Sequence, residues 1–201
     1  MYAEANQGAY PPAYQIGRDG RRWHSWRVLV LPFIEQNALF NRYRFDEPWD
    51  GPNNSQLASE MPRTFAFPGL KPQATTTTAY LAIVGADTIW PGAKAFRGKP
   101  KDGLANTILF AENNGLGVHW MEPRDLEFET MPFDLQKPDG ISSRYRTPIV
   151  AMADTTIRSL SPNLDPRVVR AMATANGGEA IAETGDGWQI IEDGRQRELN
   201  K

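Results

Sequence analysis

There is no cysteine among the 201 residues, which excludes disulfides, thiolate nucleophiles and cysteine metal ligands. The absence does not assign a compartment, because a chain of this length can bury a core that needs no covalent staple. Histidine is nearly as scarce, with only His24 and His119. His-Glu-x-x-His, Gly-x-Ser-x-Gly and a phosphate-binding loop ending in Gly-Lys-Ser/Thr are all missing. No stretch of eighteen apolar residues and no signal peptide is present, so the chain by itself reads as soluble and monomeric. Neither charge dominates: 22 basic and 24 acidic residues give a formal net charge of −2. Residues 1–100 carry 11 basic against 8 acidic and residues 101–201 carry 11 against 16, a mild asymmetry that makes no case for nucleic acid or an anionic membrane surface. Internal repeats and low-complexity segments are also absent.

What is present is a globular composition, 40% hydrophobic and 10% aromatic. It predicts one domain over residues 1–180, with 181–201 as a polar tail or an added strand containing Trp188, Ile190 and Ile191. The densest apolar content lies in residues 23–50. Ser25 can cap a helix, and Trp26, Leu29, Val30, Phe33, Ile34, Asn37, Phe40 and Tyr43 recur at helical intervals, so one face of a helix ending near Tyr43 must be buried. Pro32 predicts either a kink or a helix that starts there. Residues 44–54 read as an ordered loop, since Phe45, Trp49 and two prolines interleave with Asp46, Glu47 and Asp50. Arg18, Arg21, Arg22 and Arg27 sit beside Trp23, His24 and Trp26, a mixture able to bind phosphate or stack bases, or to form a solvated rim.

Residues 54–60 predict a short helix stopped by Pro62. Strands are predicted at 63–67, 75–84 and 107–111, with a brief one at 118–120, and residues 121–147 form a loop packed on the sheet. Residues 148–160 predict a hairpin turning at Asp154-Thr155. A helix over 164–175 has Asp165 as cap, Pro166 at its first position and Gly177-Gly178 as its stop. The order gives an α+β fold, an N-terminal helix and a C-terminal helix packed on an antiparallel sheet.

Several strings resemble a planctomycete family of type IV pilin-like or pseudopilin-like proteins, classed as domain of unknown function 1559. They are His24-Ser-Trp-Arg-Val-Leu-Val-Leu-Pro-Phe-Ile-Glu-Gln36, Tyr43-Arg-Phe-Asp-Glu-Pro-Trp-Asp50, Met61-Pro62 and Thr78-Ala-Tyr-Leu-Ala-Ile-Val-Gly85. Asp102-Gly-Leu-Ala-Asn-Thr-Ile-Leu109, Trp120-Met-Glu-Pro-Arg-Asp-Leu126 and Asn176-Gly-Gly-Glu179 follow. The resemblance implies a pilin-like fold and an exported protein that is membrane-anchored or filament-forming through an apolar N-terminal helix, which residues 1–8 do not supply. It implies pilin-like or secretion-system subunits as partners and a periplasmic or cell-surface location. The family's closing motif, a histidine, nine intervening residues and then Asp-Gly, becomes Arg144 and Asp154-Thr155 here, and its frequent Cys-Pro becomes Phe67-Pro68. An Arg144–Asp154 ion pair is expected to keep a structural tie where the motif departs.

Two carboxylate clusters could carry chemistry. Asp46, Glu47 and Asp50 surround Trp49, and Glu122 and Asp125 follow Trp120. A hydrolase using paired carboxylates is one alternative. A surface solute- or carbohydrate-binding module using Trp49, Trp90 and Trp120 on an exposed concave face is another. Ca²⁺ in an ordered oxygen-rich loop is possible in principle, whereas capping and loop hydrogen bonding is the favoured role. His24 is expected to be a structural hydrogen-bond partner. No catalytic residue and no required cofactor is assigned.

Overall fold

The computed structural model describes residues 2–69, 75–184 and 187–191. The chain opens with one helical turn, α1 (Tyr2–Ala5), then an antiparallel pair, β1 (Tyr14–Ile16) and β2 (Arg22–Ser25). The single amphipathic helix expected near residues 25–43 is instead three short pieces. These are α2 (Trp26–Leu29), a 3-10 turn (Leu31–Ile34) and α3 (Asn37–Phe40). Ser25 does cap α2, its hydroxyl accepting from Arg27 N at 3.2 Å. Pro32 then lies at the second position of the 3-10 turn and Glu35 closes it in the left-handed region at φ 63°, which no continuous α-helix permits.

A 3-10 helix follows at Asn54–Glu60. The strand expected at 63–67 is a 3-10 turn, Arg63–Phe65, between Pro62 and Pro68, with Phe65 and Phe67 both buried. The stretch 75–84 is divided into β3 (Tyr80–Leu81) and β4 (Ile83–Val84). The division has one cause: Ala82 N donates to the Asp125 carboxylate at 2.8 Å instead of to a neighbouring strand. β3 therefore pairs antiparallel with β5 (Ile108–Glu112), while β4 pairs parallel with β6 (Leu126–Glu127). Residues 118–120 contribute only a bridge between His119 and Thr77.

The hairpin β7 (Ile149–Met152) and β8 (Ile157–Ser159) completes a four-stranded antiparallel sheet in the order β3-β5-β7-β8. α4 (Pro166–Ala173) starts at its Asp165 cap, which accepts from Arg167 N at 2.8 Å. A last antiparallel pair, β9 (Ile181–Thr184) and β10 (Gly187–Ile190), supplies added strands; residues 185–186 and 192–201 lie outside the described residues. The fold is mixed α+β with small antiparallel sheets and few helices.

Alternation along the strands gives the four-stranded sheet two unlike faces. Val150 and Met152 of β7 and Ile108 and Ala111 of β5 join one buried cluster with Val168, Val169 and Met172 of α4. Ala151 and Phe110 face the other way, toward Trp26, Trp90 and Phe65 in a second cluster that joins residues of 13–66 to Ile89, Trp90, Trp120 and Met121.

Candidate functional site: an uncharged groove over the sheet

The aromatic and acidic residues that the sequence offers for chemistry are, for the most part, structural. Trp90 is 1% exposed, its indole N–H donating to Leu109 O at 2.7 Å; Trp120 is 0% exposed, donating to Ala58 O at 2.9 Å. The exposed aromatic face with Trp49 therefore does not form. Trp49 is half-buried and lies against the His119 ring, centroids 5.0 Å apart.

Asp125 is buried and three donors converge on its Oδ1: Arg27 Nη2 at 2.5 Å, Trp26 Nε1 at 3.1 Å and Ala82 N at 2.8 Å. Burial pushes this carboxyl above its ordinary value, and Arg27, Ala82 N–H and Trp26 N–H pull it back. The same burial lowers the Arg27 guanidinium, with Asp125 opposing. Arg27, expected in a basic surface cluster, is thus a core residue, held also by Ser25 Oγ and Tyr80 O. The cluster itself is spent: Arg21 pairs with Asp19, Arg22 with Glu127, and Arg18 donates to Asp46 O.

Glu122 pairs with Arg124 at 2.7 Å and accepts from His119 N, so it does not converge with Asp125 on a common space. Asp46 and Asp50 are exposed, whereas Glu47, between them, accepts from Asn53 N and Asn54 N and closes its own loop. Among the described residues no group of three His, Asp or Glu side chains is arranged to hold a metal ion. The expected Arg144–Asp154 pair is corrected: Arg144 donates to Asn114 Oδ1 at 3.0 Å and stacks over Phe67, while Asp154 accepts from Thr156 N and Oγ1 within its own turn. The turn's geometry is complete without a second charge, which leaves Arg144 to the Phe67 ring. His24 is buried, its Nδ1 hydrogen-bonded to the Tyr43 hydroxyl at 2.9 Å.

What remains open is the sheet face turned away from α4. A groove of about 500 Å³ runs across it, with Tyr80, Phe110, Ala151 and Ile157 as floor and Val30, Phe33 and Ile34 as wall, and Tyr2 at its rim. Among the described residues no charged side chain lines it. Ile157 is 64% exposed, and Trp26 stacks on Phe110 at 4.4 Å to make the groove's inner end rigid.

Residues 1–88 match a family model described as a protein of unknown function (DUF1559, SBP_bac_10). No curated protein and no solved structure matches the chain. The DUF1559 match contains the groove's wall and rim together with Tyr80 of its floor, while the remainder of the floor comes from β5, β7 and β8. No helix among the described residues is long and apolar enough to cross a membrane.

Sequence reasoning found the strands that make this floor but not which face stays open. The available signal was Ile157, an apolar residue on a short strand whose neighbours Thr156 and Arg158 are polar. Arg27 was missed as a core residue although it sits between Trp26 and Val28 in an otherwise apolar run.

Proposed function

We propose that this chain is a non-enzymatic, pilin-like or pseudopilin-like structural domain whose sheet groove receives an apolar helix. The observation that carries the reading is the uncharged groove over one face of a four-stranded antiparallel sheet whose opposite face is already covered by α4. Such a surface gains only by losing water, at roughly 25 cal/mol per Å² of apolar area buried. Its volume of about 500 Å³ is close to the inward half of an α-helix ~10 Å across over about two turns. The DUF1559 match and the motif strings that extend past residue 88 support the same family of readings. In this account the helix is of the pilin type, providing membrane retention and subunit packing. Partners are then other pilin-like or secretion-system subunits, at the periplasmic face or cell surface. Neither the solute-binding nor the hydrolase alternative has a comparable observation in its favour.

The test is fractionation of the protein expressed in its native cells, with and without Ala151→Glu. The substitution places a charge on the groove floor of a domain whose core it does not enter. The wild type is expected in a membrane or filament fraction, and the variant is expected to be released from it with an unchanged melting temperature. An identical distribution of both proteins contradicts the reading.

A further inference from the structure

Both histidines of the chain hold the same loop, one at each end. At the first end the His24 ring packs edge-on against Tyr43 and Phe45, with centroids 5.5 and 5.1 Å apart, and Nδ1 bonds the Tyr43 hydroxyl. At the second end His119 lies against Trp49, and Met121 N donates to His119 Nδ1 at 3.2 Å. That last bond fixes the neutral ring with Nδ1 as an acceptor. Just beyond its second end the loop is braced by Asn53 and Asn54, which donate to Glu47, Asn54 donating also to Arg44 O and Pro48 O.

We propose that residues 43–50 form a clasp that acid opens, by protonation of His24 and His119 at its two ends. Protonated His119 turns Nδ1 into a donor facing the Met121 N–H, so two donors oppose each other and the ring must leave its place against Trp49. Protonated His24 can only donate to the Tyr43 oxygen, so any O–H donation to Nδ1 must reverse, and the charge sits in a buried ring packed against Tyr43 and Phe45. Cation–π attraction to the neighbouring rings returns part of this, but it does not replace the acceptor that the Met121 N–H loses.

The charged surroundings do not reverse the effect. Glu122 is the carboxylate that favours the charged form of His119, and Arg124 neutralises it at 2.7 Å. Arg18 and Asp46 share the surface hollow beside His24, and Glu47 and Asp50 act on Tyr43. Burial holds both rings below the ordinary histidine value, opposed by the Phe45 backbone at His24 and by Glu122 at His119. The sign follows: the folded loop binds fewer protons than the open one. Its closure is complete above the ordinary histidine value near 6.5 and is lost as pH falls from there through the depressed values.

The experiment is amide exchange by NMR, expressed as protection factors to remove the intrinsic pH dependence. Titration of both histidine rings is followed in the same samples. The reporter is Trp49 N–H, which donates to Trp23 O at 3.1 Å, and the control is the β7 ladder. Between about pH 7.5 and about pH 5, protection at Trp49 is expected to fall at least about tenfold while β7 protection holds, with both rings titrating below ~6.5. His119→Gln, which keeps an acceptor that does not titrate in this range, is expected to remove roughly half of the logarithmic change. Constant protection at Trp49, parallel loss in β7, a ring titrating at or above ~6.5, or an undiminished response in His119→Gln overturns the proposal. If the variant does not fold, the ring titrations and the Trp49 amide of the wild type decide it alone.

Discussion

At the residue scale the chain is governed by a small number of side chains that each tie several segments. Asp125 is the strongest case, since its Oδ1 joins β2–α2 through Trp26 and Arg27 to the break between β3 and β4 at Ala82. Asp125→Asn removes the charge and leaves the Arg27 guanidinium buried without a counterion, a loss of about 3–5 kcal/mol by comparison with other broken buried pairs. For a chain of this size a melting temperature lower by about 6 °C or more is expected in a calorimetric scan. Both Asp125→Asn and Glu122→Gln are expected to act on stability alone. A glycosidase or esterase activity of the wild type that vanishes in either variant contradicts the non-enzymatic account. Thr155 gives the opposite sign. It holds φ 73° in the β7–β8 turn, a conformation that costs a β-branched residue roughly 1–2 kcal/mol. Thr155→Gly removes that strain but also gains freedom in the unfolded chain, so a net gain of about 0.5–1 kcal/mol is expected, read as a rise of about 1–4 °C in the melting temperature.

At the scale of elements, the segments with a local cause were legible and those with a tertiary cause were not. α4 and the β7–β8 hairpin follow from Asp165-Pro166 and from Asp154-Thr155, signals that lie within the element itself. The broken helix at 26–40 and the divided strand at 80–84 do not, because a left-handed Glu35 and a carboxylate 43 positions away decide them. The motif strings had the same limit. Asp102 and Asn176-Gly177-Gly178 were visible as separate strings, yet they are one device: the Asp102 carboxylate accepts from Gly177 N at 2.8 Å and Gly178 N at 2.9 Å and ties the end of α4 to the start of β5. Asp102→Ala leaves these donors without their charged partner at a cost of about 1–3 kcal/mol. Amide exchange is expected to quicken first at Gly177, Gly178 and the last turn of α4. Uniform quickening across the four-stranded sheet instead would show that the tie is not local.

At the scale of the whole molecule, one sheet face is closed and one is open. α4 covers Val150 and Met152, whereas Ala151, Phe110 and Ile157 face an uncharged groove whose wall belongs to the DUF1559-matching segment. The carboxylates and tryptophans that would serve hydrolysis or sugar binding are largely committed to internal bonds, and the proposed assembly role rests on this groove. Because the chain has no cysteine, a single Ala151→Cys places a unique thiol on the groove floor. The measurement that tests the account most directly is the rate of maleimide labelling of that thiol, in the isolated domain and in the protein within its native cells. A filled groove predicts labelling at least about tenfold slower in the native setting, with equal rates once both samples are unfolded. Equal rates in the folded samples would show that nothing occupies the groove and would contradict the assembly role.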